Sequence, residues 1–213
     1  MHIKSVEFAG AIGQIGQGQP ESINGLRQVA FAGRSNVGKS SLINRVLGRT
    51  RSPIARVSQQ PGKTQEINFY HVRTDVGEFC LVDLPGYGYA KVPKELRERW
   101  RPLISGFLSS NEALAGVVQL IDMRHGPTED DLRAIAYLAE VGVGVLFALT
   151  KSDKLKPSER QRAFATIEAT LKADTDQVIA VSALSGDGIE ALLQSLSAVI
   201  APAQVTEEPY SDG

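Results

Sequence analysis

Gly33-Arg34-Ser35-Asn36-Val37-Gly38-Lys39-Ser40 follows a short apolar run, Val29-Ala30-Phe31-Ala32, and leads into Ser41-Leu42-Ile43-Asn44-Arg45-Val46-Leu47, whose apolar spacing is helical. Glycine, any four residues, then Gly-Lys-Ser, set between a strand and a helix, is the pattern of a phosphate-binding loop. Its glycines let the backbone curl so that successive N–H groups point inward at phosphate oxygens, and the positive end of the helix dipole adds to the attraction. Lys39 suits the β- and γ-phosphates of a nucleoside triphosphate, and the Ser40 hydroxyl suits Mg²⁺.

Outward from this loop, apolar runs alternate with helical patterns. Residues 66–73 and 78–83 read as neighbouring strands, and 115–122, 143–150 and 177–182 as later buried strands. Helical patterns occupy 93–108, 128–141, 158–172 and 188–200. Thr128 suits an N-cap ahead of Asp130 and Asp131, and Pro157 suits a first helical turn. The alternation predicts an α/β fold with a mainly parallel sheet covered by helices on both faces. The strand count is six, with one antiparallel edge strand. Residues 3–8 alternate like a further edge strand, whereas 10–18, rich in glycine and glutamine, reads as a loop. The expected division is an N-terminal extension over 1–22, a nucleotide-binding domain over 23–201 and a disordered, acidic tail over 202–213.

Composition narrows the class without naming it. The 213 residues suffice for one α/β domain with a sizeable core. A hydrophobic fraction of 42% and a net charge of −1 are ordinary, so a surface for nucleic acid would have to be local. Cys80, the single cysteine, excludes an intramolecular disulfide and sits in Phe79-Cys80-Leu81-Val82, where a buried core thiol is expected. No stretch is long enough to span a membrane and no signal-peptide pattern precedes the first strand, so the expected setting is the cytoplasm.

A phosphate loop alone does not separate kinases, ATPases and GTPases. Asp83-Leu84-Pro85-Gly86 ends an apolar strand: the aspartate can hold Mg²⁺, and Gly86 can offer its N–H to a γ-phosphate, although such a turn is common by itself. Thr150-Lys151-Ser152-Asp153 bears on the base. It closes the apolar run 145–149, at the carboxyl end of a strand, where open α/β sheets bind ligands. Asp153 can accept from N1–H and the 2-amino group of guanine, and adenine lacks that pair of donors. Lys151 can lay its stem along the ring. Ser182-Ala183-Leu184 follows the next strand, where the Ala183 N–H can meet the 6-oxo group. Thr64, in Pro61-Gly62-Lys63-Thr64-Gln65, can bind Mg²⁺ through its hydroxyl and the γ-phosphate through its N–H, contacts that order a loop with triphosphate and release it after hydrolysis. As an ordered set these motifs point to a guanine-nucleotide switch.

With Gly33–Ser41, Pro61–Gln65, Asn68-Phe69, Asp83-Leu84-Pro85-Gly86-Tyr87-Gly88-Tyr89-Ala90, Thr150–Asp153 and Val181-Ser182-Ala183 in place, the chain resembles the EngB (YihA/YsxC) family of bacterial ribosome-assembly GTPases, within the translation-factor-like group. The likeness covers about residues 20–200. It implies a Ras-like fold and GTP/GDP and Mg²⁺ binding, the metal by Ser40, Thr64 and Asp83. It also implies action in late assembly of the large ribosomal subunit and a link to septation. Nucleotide contacts are expected from Gly33, Arg34, Ser35, Asn36, Val37, Gly38, Lys39, Ser40, Ser41, Gly62, Lys63, Thr64, Gln65, Asp83, Leu84, Pro85, Gly86, Thr150, Lys151, Ser152, Asp153, Val181, Ser182 and Ala183, with Lys39 and Thr64 serving catalysis.

Tyr87 departs from the Ras pattern, which places a water-orienting glutamine there, so slow intrinsic hydrolysis is expected. Either a partner completes the site or a cation does: Asn36 occupies the position that helps to hold K⁺ in related potassium-activated GTPases. Residues 91–101 carry five basic and two acidic side chains, and Arg49, Arg51, Arg56 and Lys63 form a second basic stretch near Thr64. Either can dock ribosomal RNA, and Glu95 and Glu98 can equally pair within the helix. A monomer acting on the large subunit or its precursor is expected. Two other classes stay open, a nucleotide-gated binding module with incidental hydrolysis and a small-molecule kinase.

Overall fold

The computed structural model describes residues 1–55, 66–87 and 94–201, with no side-chain description over 94–101. The tail over 202–213 lies outside the described residues. The strands are β1 (Ile3–Ile12), β2 (Gln28–Gly33), β3 (Ile67–Thr74), β4 (Glu78–Asp83), β5 (Leu114–Asp122), β6 (Val145–Thr150) and β7 (Val178–Ala180). The helices are α1 (Lys39–Val46), α2 (Lys94–Ser110), α3 (Glu129–Glu140), α4 (Pro157–Leu171) and α5 (Ile189–Ile200).

The strands form one seven-stranded sheet in the order β1-β3-β4-β2-β5-β6-β7. This corrects the six-strand count. β3 is antiparallel to β4 and also to β1, so the antiparallel strand is not at the edge; β1 covers it. The expected loop over 10–18 begins later than its glycines suggest, because Gly10, Ala11 and Ile12 stay paired with Phe69, Asn68 and Ile67 after a register shift between Phe8 and Gly10. Gly10 has a φ of 149°, and a Cβ there would lie 2.9 Å from the Pro20 ring, so glycine suits both the bulge and the close approach.

Other boundaries moved for local reasons. β6 begins at Val145 because Gly142, at a φ of 70°, turns the chain out of α3. β7 stops at Ala180: Gln177 belongs to a helical turn, and the Ser182 N–H bonds to Asp187. α2 continues through Pro102 to Ser110. α3 begins with the expected cap, Thr128 accepting from the Asp131 N–H while the Asp131 carboxylate accepts from the Thr128 N–H.

Apolar cores fill both faces. Phe31, Leu42, Ile43, Leu81, Leu192 and Leu196 join the sheet to α1 and α5. Phe69, Cys80, Leu103, Phe107 and Leu138 join the opposite face to α2 and α3, with Phe69 and Phe107 edge to face at 6.0 Å. Ile121, Leu149 and Ile167 seat α4. Each such buried side chain contributes roughly 1.5–3 kcal/mol relative to exposure. Burial also pushes the Cys80 thiol up to about 12, as fits a core thiol. The parallel pairings Phe31–Asp83, Gly33–Leu120, Asp122–Thr150 and Leu149–Ala180 bring the carboxyl ends of β2, β4, β5, β6 and β7 to one side, where all the described motifs converge.

Candidate nucleotide-binding site

The phosphate loop is set by close packing beneath it. A Cβ on Gly33 would lie 2.9 Å from Val37 Cγ1 and 3.0 Å from Leu120 Cβ, so only glycine lets the loop sit down on β5. Asn36 and Gly38 take left-handed backbones, φ 65° and 104°, and turn the chain into α1. Gly38 caps α1 without a side-chain hydrogen bond, and the first helical bond runs from Leu42 N–H to the Gly38 carbonyl. The N–H groups of Lys39, Ser40 and Ser41 therefore face out of the first turn, the arrangement that receives an anion.

Lys39 and Asp83 form a buried ion pair. The two groups that the motifs assign to phosphate and to Mg²⁺ thus neutralise each other, which settles charges that would otherwise be costly at 8% and 3% exposure. Ser40 and Asp83 supply the hard oxygen donors that suit Mg²⁺. Among the described residues no group of three His, Cys, Asp or Glu side chains could hold a metal alone.

The Asp83–Gly86 loop lies directly on the phosphate loop. Ser35 N–H donates to the Tyr87 carbonyl at 2.9 Å and Tyr87 N–H to the Gly33 carbonyl at 3.3 Å. A Cβ on Gly86 would lie 3.1 Å from Ser35 Oγ, so a larger residue would crowd the phosphate loop at this approach. The Tyr87 side chain turns the other way: its hydroxyl donates to Asp131 Oδ1 at 2.8 Å and accepts from Gln119 Nε2 at 2.5 Å. Burial first, then the Asp131 charge, pushes the phenol above its ordinary pKa, so it remains a protonated donor.

Thr150–Asp153 is locked to the phosphate loop. Thr150 Oγ1 donates to the Val37 carbonyl at 2.7 Å. Lys151, itself left-handed at φ 61°, reaches the Asn36 carbonyl at 2.7 Å and Asp122 Oδ2 at 2.9 Å. Burial works against the Asp122 charge, but hydrogen bonds from Arg124 and Lys151 outweigh it and hold the carboxyl below the usual range. Ser152 N–H bonds to the Val181 carbonyl. Ser182 Oγ donates to Asp153 Oδ1 at 2.7 Å and accepts from the N–H groups of Leu184 and Ser185, so Asp153 is aimed by the next strand's loop. That hydroxyl is also the main reason the Asp153 carboxyl is lowered.

The structure thus gathers the residues expected over 33–41, 83–86, 150–153 and 181–183. Gly62, Lys63, Thr64 and Gln65 lie outside the described residues, as do Arg56, Gly88, Tyr89, Ala90 and the side chains of Lys94, Arg97 and Trp100. Sequence reasoning missed two groups. Asp122 ends β5 as Asp83 ends β4, a parallel that could have flagged it. Gln119 and Asp131 carry no local signal toward Tyr87, since they lie 32 and 44 residues away from it.

Comparison with known proteins agrees with this geometry. A family model described as 50S ribosome-binding GTPase matches residues 28–151, more than half of the chain. A probable GTP-binding protein EngB of Gemmatimonas aurantiaca is 45% identical over 201 residues, covering 94% of this chain and 95% of the relative. The crystal structure of a probable GTP-binding protein engB superposes with a TM-score of 0.66 at 28% identity, over 81% of this chain and 98% of that one. Era in complex with MgGDPNP and nucleotides 1506–1542 of 16S ribosomal RNA shares the fold, with a TM-score of 0.70 at 21% identity, over 83% of this chain and 57% of that one. No described helix is long and apolar enough to cross a membrane.

Proposed function

The chain belongs to the EngB family of GTP-binding proteins, a family of GTPases, and from that premise we propose that it is a guanine-nucleotide switch in assembly of the large ribosomal subunit. GTP orders the loops around Thr64 and Gly86, the large subunit or its precursor is engaged, and hydrolysis to GDP and phosphate releases it. The observation that carries the reading is the bond from Lys151 to the Asn36 carbonyl, which makes the guanine-reading segment and the phosphate loop one unit. The family description supports the ribosomal partner, and the Era complex supports RNA as the kind of surface this fold can meet.

In this reading the triphosphate takes over Lys39 from Asp83. Lys39 then holds the β- and γ-phosphates, Asp83 and Ser40 hold Mg²⁺ with Thr64, and the N–H groups of residues 36–41 cradle the phosphates. Mg²⁺, held by these side chains, would supply positive charge against the phosphates. Asp153 accepts from N1–H and the 2-amino group of guanine, while Ala183 N–H faces the 6-oxo group. Hydrolysis is slow without help, because the Tyr87 phenol is held by Asp131 and Gln119 away from a water-orienting role. Either a ribosomal partner would complete the site, or a monovalent cation held with the help of Asn36 would. Work as a cytoplasmic monomer and the connection to septation belong to the same reading.

Co-sedimentation with large subunits in GDP and in a non-hydrolysable GTP analogue tests it. Binding in the analogue and release in GDP is expected, and equal binding in both would sink the switch. The engagement of Tyr87 also favours a second reading, a nucleotide-gated ribosome-binding module with incidental hydrolysis. Single-turnover hydrolysis that large subunits leave unaccelerated would select it.

A further inference from the structure

We propose that the groove between β1 and the C-terminal end of α1 binds the phosphate backbone of ribosomal RNA, a site separate from the nucleotide cleft. The proposal rests on the reading of the ribosome as partner and says which part of that partner this surface meets. The groove encloses a cavity of about 530 Å³, and the cationic side chains that line it are Lys4, Arg45 and Arg49. No acidic residue lines it. On a chain of net charge −1, three cations around one cavity are a local feature that whole-molecule composition conceals.

The way these cations are held matters more than their number. Arg45 Nη2 donates to the Ser185 carbonyl at 3.0 Å and Arg49 Nη2 to the Val6 carbonyl at 3.2 Å. Carbonyl contacts fix a guanidinium in place without cancelling its charge, and they leave donors of the planar fork for phosphate oxygens. Arg73, Arg124, Arg133 and Arg160, by contrast, each pair with carboxylates, while Arg27, outside this groove, also donates to a carbonyl, that of Ala201. Among the described residues Lys4, Arg45 and Arg49 have no such partner, and Lys4 is exposed. Asp75 accepts from the His2 N–H beside the start of β1, and Glu7 on β1 is paired with Arg73.

Capping of α1 does not account for the cluster. The carbonyls at that end already accept from the backbone N–H groups of Leu47, Gly48 and Arg49. The walls are firm, since Val6 and Leu47 are buried in the core. The fold seats Arg49 against Val6 on β1, at the end of α1 remote from the phosphate loop, about 12 Å along an eight-residue helix. A polyanion lying here leaves the nucleotide cleft open, as a ribosome-bound GTPase requires.

The test measures binding of a short fluorescein-labelled oligouridylate and of large ribosomal subunits to the full chain, across a salt series. Lys4→Glu is the main variant, because Lys4 is exposed and its side chain makes no hydrogen bond or ion pair with the described residues. Arg162→Glu on the exposed face of α4 changes net charge equally and serves as control. Lys4→Glu should weaken oligouridylate binding roughly three- to tenfold and reduce the salt slope by about 0.7 for each phosphate that the chain ceases to neutralise. It should weaken large-subunit binding in step, and GDP affinity should not move. Arg162→Glu should match wild type. Equal behaviour of the two variants overturns the proposal, and so does loss of subunit binding with oligouridylate binding intact, which would mean a protein partner at this surface. If wild type binds oligouridylate through Lys4 but does not sediment with large subunits, the groove stands and the ribosomal reading falls. If wild type and Lys4→Glu sediment alike, the ribosomal reading stands and the groove falls.

Discussion

The Tyr87 hydroxyl donates to Asp131 Oδ1 at 2.8 Å, tying the segment that follows Gly86 to the first turn of α3. The other Asp131 oxygen accepts from the N–H and the hydroxyl of Thr128, so one buried carboxylate serves both a helix cap and the loop beside the phosphates. The residue after Gly86 is thereby structural: its backbone pairs with the phosphate loop through Gly33 and Ser35 while its side chain is anchored behind it.

Tyr87→Phe keeps the ring and deletes the anchor. Gln119 Nε2 loses one of its two acceptors and keeps the Leu120 carbonyl, and Asp131 loses one donor, in a region where both residues are buried. A buried polar group left short of a partner costs about 1–3 kcal/mol, so a clear loss is expected in denaturant unfolding. Single-turnover GTP hydrolysis without ribosomes should stay within about twofold of wild type at a temperature where the variant is folded, a change of roughly 0.4 kcal/mol in barrier. A collapse of the hydrolysis rate would show that the phenol acts on the chemistry.

Base selection hangs on Asp153, aimed by Ser182 and accepting two hydrogen bonds from guanine in the proposed mode. Each bond to a charged acceptor is worth about 1.5–3 kcal/mol, so Asp153→Asn should weaken GDP binding by roughly two to four orders of magnitude. The asparagine amide can donate to an oxygen at the 2-position, and xanthosine diphosphate should bind the variant better than GDP. Calorimetric titration with both nucleotides decides it. An unchanged preference for GDP would remove Asp153 from the base site.

What the sequence made legible follows from contact range. The phosphate loop, Asp83 at the end of β4 and Asp153 just beyond β6 could be placed because their motifs lie in runs of four to eight residues with one apolar flank. The direction of β3 was also legible, since only a short turn joins it to β4. The continuation of β1 through Gly10 to Ile12 was not, because Gly10 looks like a loop residue until Phe69 and Asn68 supply its partners. The Tyr87–Gln119–Asp131 cluster was illegible for the same reason: a buried tyrosine takes its partners from wherever the sheet and α3 bring them. The contact of Arg49 with Val6 was out of reach in the same way, because the two residues lie 43 positions apart.

Asp122 should shape the acid limb of stability. Its carboxyl is held below the usual range, so it titrates lower in the folded chain than in the unfolded one. The sign follows from linkage: its contribution is complete above the unfolded value near 3.9 and is lost as pH falls from there through the folded value. Asp122→Asn should therefore lower Tm at neutral pH and flatten the fall in Tm below about pH 4. Some fall remains, because Asp153 is depressed in the same direction. Solvent reaches part of the Asp122–Arg124 pair and screens it, so the effect is modest. Parallel Tm curves for variant and wild type across this range would refute the assignment.

Asn36 offers the sharpest handle on hydrolysis. Its backbone is left-handed at φ 65° and its carbonyl holds Lys151, while its side chain is exposed beside the phosphate loop. Asn36→Ala would confound two effects, since alanine is strained at this φ. Asn36→Gly does not, because glycine adopts the angle freely and keeps the carbonyl for Lys151. If the amide oxygen helps to hold a monovalent cation at the phosphates, turnover in potassium chloride should exceed that in sodium chloride at equal ionic strength by about tenfold, some 1.4 kcal/mol of barrier. Asn36→Gly should erase that difference while GDP affinity stays within about threefold, roughly 0.65 kcal/mol. Equal wild-type rates in the two salts would end the cation hypothesis, and potassium stimulation surviving in Asn36→Gly would free Asn36 of the role.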